Sequence, residues 1–394
     1  MKIGSRSTRR GEQARHGGTA PLLVAVLVLA LSVALAACGG GIGDSNTTSE
    51  ASTAEAQGKA SGSLTISNWP LYIAPQTVPD FEKATGVKTN YVEDYNSNEE
   101  FYGKIQPLLA NGESGGRSLF AGPSPYIVER MMRQGYLQKL DKSSLPVVFE
   151  QLAPEFQSPK YDPGNQFSVP WQSGMMGIAV RKDLAPDIKS ACDLFNPKYH
   201  GKVELFTEMR QTLGVIMKCM GIDVDKPLTE EDWMRAIDKV KQAKEDGQLR
   251  KFAGNDWTNE LLRGDVVAST GAAGDTYQLE QENPNVTWVM PSDGCIIFTN
   301  DMVIPVGAPN PTAAYAFMNF VYEPENAAKI TEFTHYLSPV KGVKEVLEKQ
   351  APELVHNQLI FPTKQFDGKC SPEPQLSGEM EQKVNAAWNA VING

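Results

Sequence analysis

Residues 64–92 read LTISNWPLYIAPQTVPDFEKATGVKTNYV. LTIS is a short apolar run, the stretch after it is helical in character and stops at Gly86, and VKTNYV is a second strand-like run; glycine just past the last periodic residue is the usual helix terminator. The pattern then repeats. NEEFYGKIQPLLANG (98–112) is amphipathic, with Pro107 expected to end or kink it early. SLFAG (118–122) is a third apolar run, and PYIVERMMRQG (125–135) is a helix with Pro near its first turn and Gly at its end. Strands alternating with helices at this spacing predict a parallel sheet with helices on its faces.

A second series follows SVPWQSG (168–174). Its apolar runs GIAV, VELF, VVAST and TWVM are separated by helical stretches such as TEEDWMRAIDKVKQAKED, whose Trp233, Ile237 and Val240 share one face. NDMVIPV adds a strand, and PTAAYAFMNFVY and ENAAKITEFTHY read as helices. The expected fold is therefore α/β, with two lobes of parallel-rich sheet flanked by helices and joined by crossing strands. Ligands of open parallel sheets bind at the carboxyl ends of the strands, which places the site in the cleft between the lobes. Lobe one is expected to comprise 63–170 and 301–394, with the C-terminal helices, and lobe two 171–300.

The 394 residues begin with a basic segment (Lys2, Arg6, Arg9, Arg10, Arg15) followed by an apolar run from Leu22 to Ala37. That run is shorter than the roughly 20 residues of a membrane span and reads as an export signal over 1–37. Its end, Leu35-Ala36-Ala37-Cys38, resembles the lipobox of bacterial lipoproteins. The resemblance implies acylation of Cys38 and a lipid anchor on the outer side of the cytoplasmic membrane. Residues 38–62, rich in Gly, Ser, Thr and Ala, read as a disordered tether, which as a flexible coil reaches roughly 25 to 30 Å.

The whole chain carries a net charge of −10; residues 1–37 hold five basic residues and one acid, so their removal leaves −14. Such acidity argues against nucleic acid and favours cationic partners. Four cysteines remain, Cys192, Cys219, Cys295 and Cys370, which an exported location allows to pair; three pairings are open. The histidines His200, His335 and His356 show no metal-ligand spacing, so neither a metal nor a cofactor is expected.

At the strand ends stand the candidate ligand residues. Trp69 and Tyr72 lie in the first strand-to-helix loop, and Ser124 and Tyr126 at the same position of a later unit. Aromatic rings and a hydroxyl around one crevice suit a cation or a sugar ring. From lobe two, Glu208, Arg210 and Gln211 follow VELF, Asp275 sits in a Gly-rich turn after VVAST, and Trp257 lies in FAGNDWTNE. Asp301, Asp256 and Glu260 are further candidate acids.

With these residues in place, the chain resembles the extracytoplasmic solute-binding proteins of ABC importers, of the spermidine/putrescine-binding type. The resemblance runs over nearly all of 63–394 and rests on SNWPLYIAP, PSPYIVERMMRQGYLQKLDKS, FNPKYHGKVELFTEMRQTLG, AAGD and the stretch from NDMVIPV to YLSPVKG. It implies a monomeric receptor whose Trp69, Tyr72, Ser124 and Tyr126 flank a polyamine chain while Glu208 and Asp275 meet its ammonium groups. The implied partners are an ABC permease and its ATPase. Gln211 stands where such proteins often carry a second acid, and Ala272 where a Trp is expected. A receptor for another solute, a sugar or an amino-acid derivative, is the alternative. A hydrolase would need acids in a cleft too, but no nucleophile elbow, zinc motif, P-loop or dinucleotide fingerprint is present.

Overall fold

The computed structural model describes residues 51–394 except 55, 57 and 377. The expected leader, Cys38 and the first part of the tether lie outside the described residues. The strands are β1 (Thr53–Ala54), β2 (Ser63–Asn68), β3 (Lys88–Glu93), β4 (Leu119–Ala121), β5 (Lys139–Leu140), β6 (Ser168–Arg181), β7 (Val203–Phe206), β8 (Leu249–Ala253), β9 (Ala268–Ala272), β10 (Val286–Val289), β11 (Cys295–Val303) and β12 (Cys370–Pro372). Between them lie α1 (Thr77–Thr85), α2 (Asn98–Leu109), α3 (Pro125–Arg133), α4 (Pro146–Gln151), α5 (Met209–Cys219), α6 (Glu230–Glu245), α7 (Trp257–Arg263), α8 (Ala273–Glu282), α9 (Pro311–Val321), α10 (Pro324–Thr334), α11 (Val343–Gln350), α12 (Lys364–Asp367) and α13 (Gly378–Asn393).

The expected punctuation is visible in the backbone. Helix α1 ends at Gly86, whose φ of 78° lies in the left-handed region and whose N–H donates to Glu82 O. Ser97 caps α2 through a bond from the Glu100 N–H, and the helix continues past Pro107 to Leu109. Pro125 occupies the first turn of α3, where its missing N–H has no intrahelical partner to lose.

Ten strands join in one hydrogen-bonded sheet in the order β3-β2-β4-β11-β6-β9-β7-β8, with β10 on β6 and β12 on β11. β3, β2 and β4 are parallel in one lobe, and β9, β7 and β8 in the other. β6 and β11 run antiparallel to each other and cross between the lobes. All fourteen residues of β6 are buried: its start faces Val303 of β11, and its end pairs with β9 and β10. These two strands are the hinge of a two-lobed α/β fold.

Two expected boundaries need correction. Thr53 and Ala54, inside the stretch read as tether, pair with Lys139 and Leu140, and the Tyr315 hydroxyl donates to Ala54 O; a buried Ala54 closes a small second sheet against lobe one. The tail, grouped with lobe one, returns to lobe two. β12 pairs with β11 at Cys295–Ile297, the Trp388 indole donates to Thr207 O at 3.0 Å, and Lys244 of α6 reaches Val391 O at 2.7 Å. The disulfides are Cys192–Cys219 and Cys295–Cys370. Among the described residues no helix is long and apolar enough to cross a membrane.

Candidate ligand-binding site

Both rings of the first loop are fixed by the backbone around them. The Asn68 side chain accepts from the Trp69 N–H at 2.8 Å. Two residues on, Leu71 adopts φ 59°, a left-handed conformation that costs a branched side chain on the order of 1–2 kcal/mol. That turn directs the Leu71 carbonyl to the Gln278 amide of lobe two at 3.0 Å, and Tyr72 back toward the hinge. The Tyr72 hydroxyl donates to Asn300 Oδ1 at 2.9 Å, and its ring meets Tyr336 edge-on at 4.7 Å. The Trp69 indole N–H donates to Gly122 O at 2.9 Å. Only glycine fits at 122, since a Cβ there would stand 2.9 Å from the indole Cδ1.

Two carboxyls face the same space from lobe two. Glu208 precedes α5 and accepts from the Asn98 N–H at 2.5 Å and from Asn98 Nδ2 at 3.0 Å. Asp275, in the first turn of α8, accepts from the Tyr336 hydroxyl at 2.7 Å. Gly274 lets this turn approach so closely: a Cβ there would lie 2.4 Å from the Tyr336 ring. Burial is the main influence on both acids. It raises Glu208 to about 7 against the opposing Asn98 bonds, and Asp275 to about 7 against the Tyr336 bond.

The lobes are closed on one another in this structure. Besides the Asn98–Glu208 and Leu71–Gln278 bonds, the Asn255 N–H donates to Asn96 Oδ1 at 2.9 Å. The cavity left between the lobes is partly open to solvent and holds about 30 Å³ of space that water can reach. Its wall carries five aromatic rings (Trp69, Tyr72, Phe206, Phe298, Tyr336), the amides of Gln211, Asn255 and Asn300, and the carboxyls of Glu208 and Asp275. No Lys, Arg or His is among the described residues that line it. Desolvated carboxyls among aromatic faces favour a cation.

Comparison with known proteins follows the same direction. Residues 76–358 match the family described as bacterial extracellular solute-binding proteins. The chain belongs to that family. As such a solute-binding protein it is 29% identical over 322 residues to spermidine/putrescine-binding periplasmic protein 1 of Haemophilus influenzae, covering 80% of this chain and 85% of that one. It is 28% identical over 352 residues to a putrescine-binding periplasmic protein of Escherichia coli, covering 84% and 91%. The crystal structure of the spermidine/putrescine ABC transporter substrate-binding protein of Streptococcus pneumoniae superposes with a TM-score of 0.66 at 25% identity, over 84% of this chain and 98% of that one.

Of the residues expected from sequence, the solute-binding protein places Trp69, Tyr72, Glu208, Gln211 and Asp275 on the cavity wall. Four lie elsewhere. Ser124 is buried between two amides, its hydroxyl accepting from Asn98 Nδ2 at 3.0 Å and Asn300 Nδ2 at 3.3 Å. Tyr126 is covered by the Arg210 guanidinium, 4.0 Å from its ring centre. Trp257 is core, packed beneath Gly271 of β9. Asp301 points away from the cavity and accepts from the Tyr161 hydroxyl at 2.8 Å. Neighbouring strand residues face opposite sides, so Asn300 takes the cavity position. Asp256 and Glu260, the other candidate acids, pair with Lys251 at 3.1 and 3.0 Å.

Tyr336, Phe298, Asn300, Phe206 and Met176 were not singled out from sequence. Tyr336 carried the best available signal, a polar aromatic at the end of a helical run. It projects because α10 stops at Thr334 and His335 turns with φ 55°.

A pH dependence of stability follows from the raised acids. Glu208, Asp275 and Asp301 are lifted to about 7, and Glu204 to about 8, burial being first among the causes for each. Between the ordinary carboxyl range and these values the folded state binds more protons than the unfolded state. Stability of the ligand-free protein is thus greatest below about pH 4 as far as these groups decide it, and falls as pH rises to about 7 or 8. Urea unfolding from pH 5 to 8 checks this; stability that rises steadily over that interval would contradict it.

Proposed function

We propose that this solute-binding protein captures a polyamine, a flexible chain with an ammonium at each end, in the interlobe cavity and delivers it to the permease of an ABC importer. The observation that carries the reading is the wall itself: two desolvated carboxyls, five rings and no basic group. A ligand carrying its own carboxylate would find no cation to meet it, whereas a diamine supplies the charge that Glu208 and Asp275 need and lays its methylenes against the rings. The names of the relatives from Haemophilus influenzae, Escherichia coli and Streptococcus pneumoniae support the same solute class. In this reading β6 and β11 are the axis about which the lobes open and close. Cys38 carries the lipid that holds the exported protein at the membrane; if Cys38→Ser leaves the protein in the membrane fraction, that anchor is wrong.

A thermal-shift panel tests the solute class. Putrescine or spermidine at about 100 times Kd should stabilise the protein by about 2.7 kcal/mol, visible as a raised melting temperature. A shift with a neutral sugar or an amino-acid derivative, and none with any polyamine, would replace this reading with the corresponding one.

A further inference from the structure

Gln211 stands on the cavity wall in the first turn of α5. Off the wall lies Glu373, an acid from the C-terminal segment, whose neighbour Pro374 packs on the same helix α5 at Gly214. The segment is held there firmly. β12 pairs with β11 up to Pro372, Cys370 is bonded to Cys295, the Glu373 N–H donates to Ile297 O at 3.0 Å, and Pro374 packs on Gly214, where a Cβ would come 3.2 Å from its Cγ.

Glu373 is 6% exposed, and neither carboxyl oxygen makes a hydrogen bond of full geometry. Burial works against its charge, and Arg210 and the Gln211 side chain are the groups that favour it. Arg210 already has a partner, because Glu381 meets it at 2.9 Å. Among the described residues no ion pair reaches Glu373 or Glu208. Burial disfavours the charged form of such a carboxyl, and a cation brought by the ligand would offset that cost.

We infer that Glu373 is a specificity and positioning residue of the site: it draws an N–H of the Gln211 amide toward itself, presents the amide oxygen to the cavity, and adds its negative potential to that of Glu208 where an ammonium binds. The inference rests on the polyamine reading. It makes the C-terminal segment part of the binding machinery although no atom of Glu373 lines the cavity.

Titration calorimetry with putrescine on the parent, Glu373→Gln and the double variant Gln211→Glu/Glu373→Gln tests it, with melting temperatures recorded alongside. Glu373→Gln should bind about tenfold more weakly while its ligand-free melting temperature holds or rises, since a desolvated charge has been removed. Moving the charge to residue 211 in the double variant should restore affinity. Unchanged affinity in Glu373→Gln would overturn the role of Glu373 alone, as would a loss that the double variant fails to restore. A parent that binds no polyamine would overturn the polyamine reading and this inference with it.

Discussion

Replacing Asp275 by Asn should weaken polyamine binding by about 10- to 150-fold, equivalent to the roughly 1.5–3 kcal/mol of a hydrogen bond to a charged group. The substitution keeps the shape, and the amide oxygen can still accept from the Tyr336 hydroxyl that now lies 2.7 Å from the carboxyl. Only the charge is lost. Because burial disfavours that charge in the empty cavity, the variant should be at least as stable as the parent without ligand. Affinity and stability therefore move in opposite directions, a signature that a general packing defect cannot produce. Calorimetry and urea unfolding on the same preparation check it; parent-like affinity for putrescine and spermidine would remove Asp275 from the ligand's contacts.

Truncating Glu381 to Ala should destabilise the folded protein by about 3–5 kcal/mol, the range for removing one partner of a buried ion pair. Glu381, on α13, accepts from Arg210 at 2.9 Å and Arg130 at 2.8 Å, with Arg133 at 3.6 Å. Arg210 is 3% exposed and Arg130 14%, so water cannot take over the solvation of their guanidinium groups. Arg130 retains Glu99 at 2.8 Å; Arg210 keeps no ion pair. The contact also spans the cleft, since α13 packs on α6 of lobe two while α3, which carries Arg130, belongs to lobe one. The variant should accordingly hold the closed arrangement less well and bind ligand more weakly. A loss below about 1 kcal/mol in urea unfolding would place this cluster with ordinary surface ion pairs.

The fold was legible where the chain is punctuated. Gly86, Pro125 and Gly135 mark helix ends by conformations that few other residues accept, so the alternation of strand and helix could be read without tertiary information. Trp69 and Tyr72 were legible for the same reason, as large rings at the end of a recognisable strand. Asn300 was not: it and Asp301 are adjacent in β11 and face opposite sides, so which one meets the cavity is set by how β11 lies against β6, which local pattern does not announce. The tail was illegible too. Its placement is decided by pairing with β11, more than seventy residues earlier in the chain, and no periodicity in SPEPQLSGE signals a partner. Ser124 and Tyr126 fell at the right strand end, but the Ser124 hydroxyl is taken up by the Asn98 and Asn300 amides and the Tyr126 ring is covered by Arg210.

The central claim is that the cavity selects a cation without a carboxylate. Titration calorimetry of the mature protein at neutral pH against putrescine, spermidine and 4-aminobutyrate tests it most directly, because the last keeps one amine and a similar chain but carries an anionic end. Saturable binding of putrescine or spermidine with a Kd of about 1 µM or below, near −8 kcal/mol, and no measurable binding of 4-aminobutyrate is the expected result. Binding of 4-aminobutyrate as tight as that of either polyamine, or no heat with both polyamines, would contradict the account.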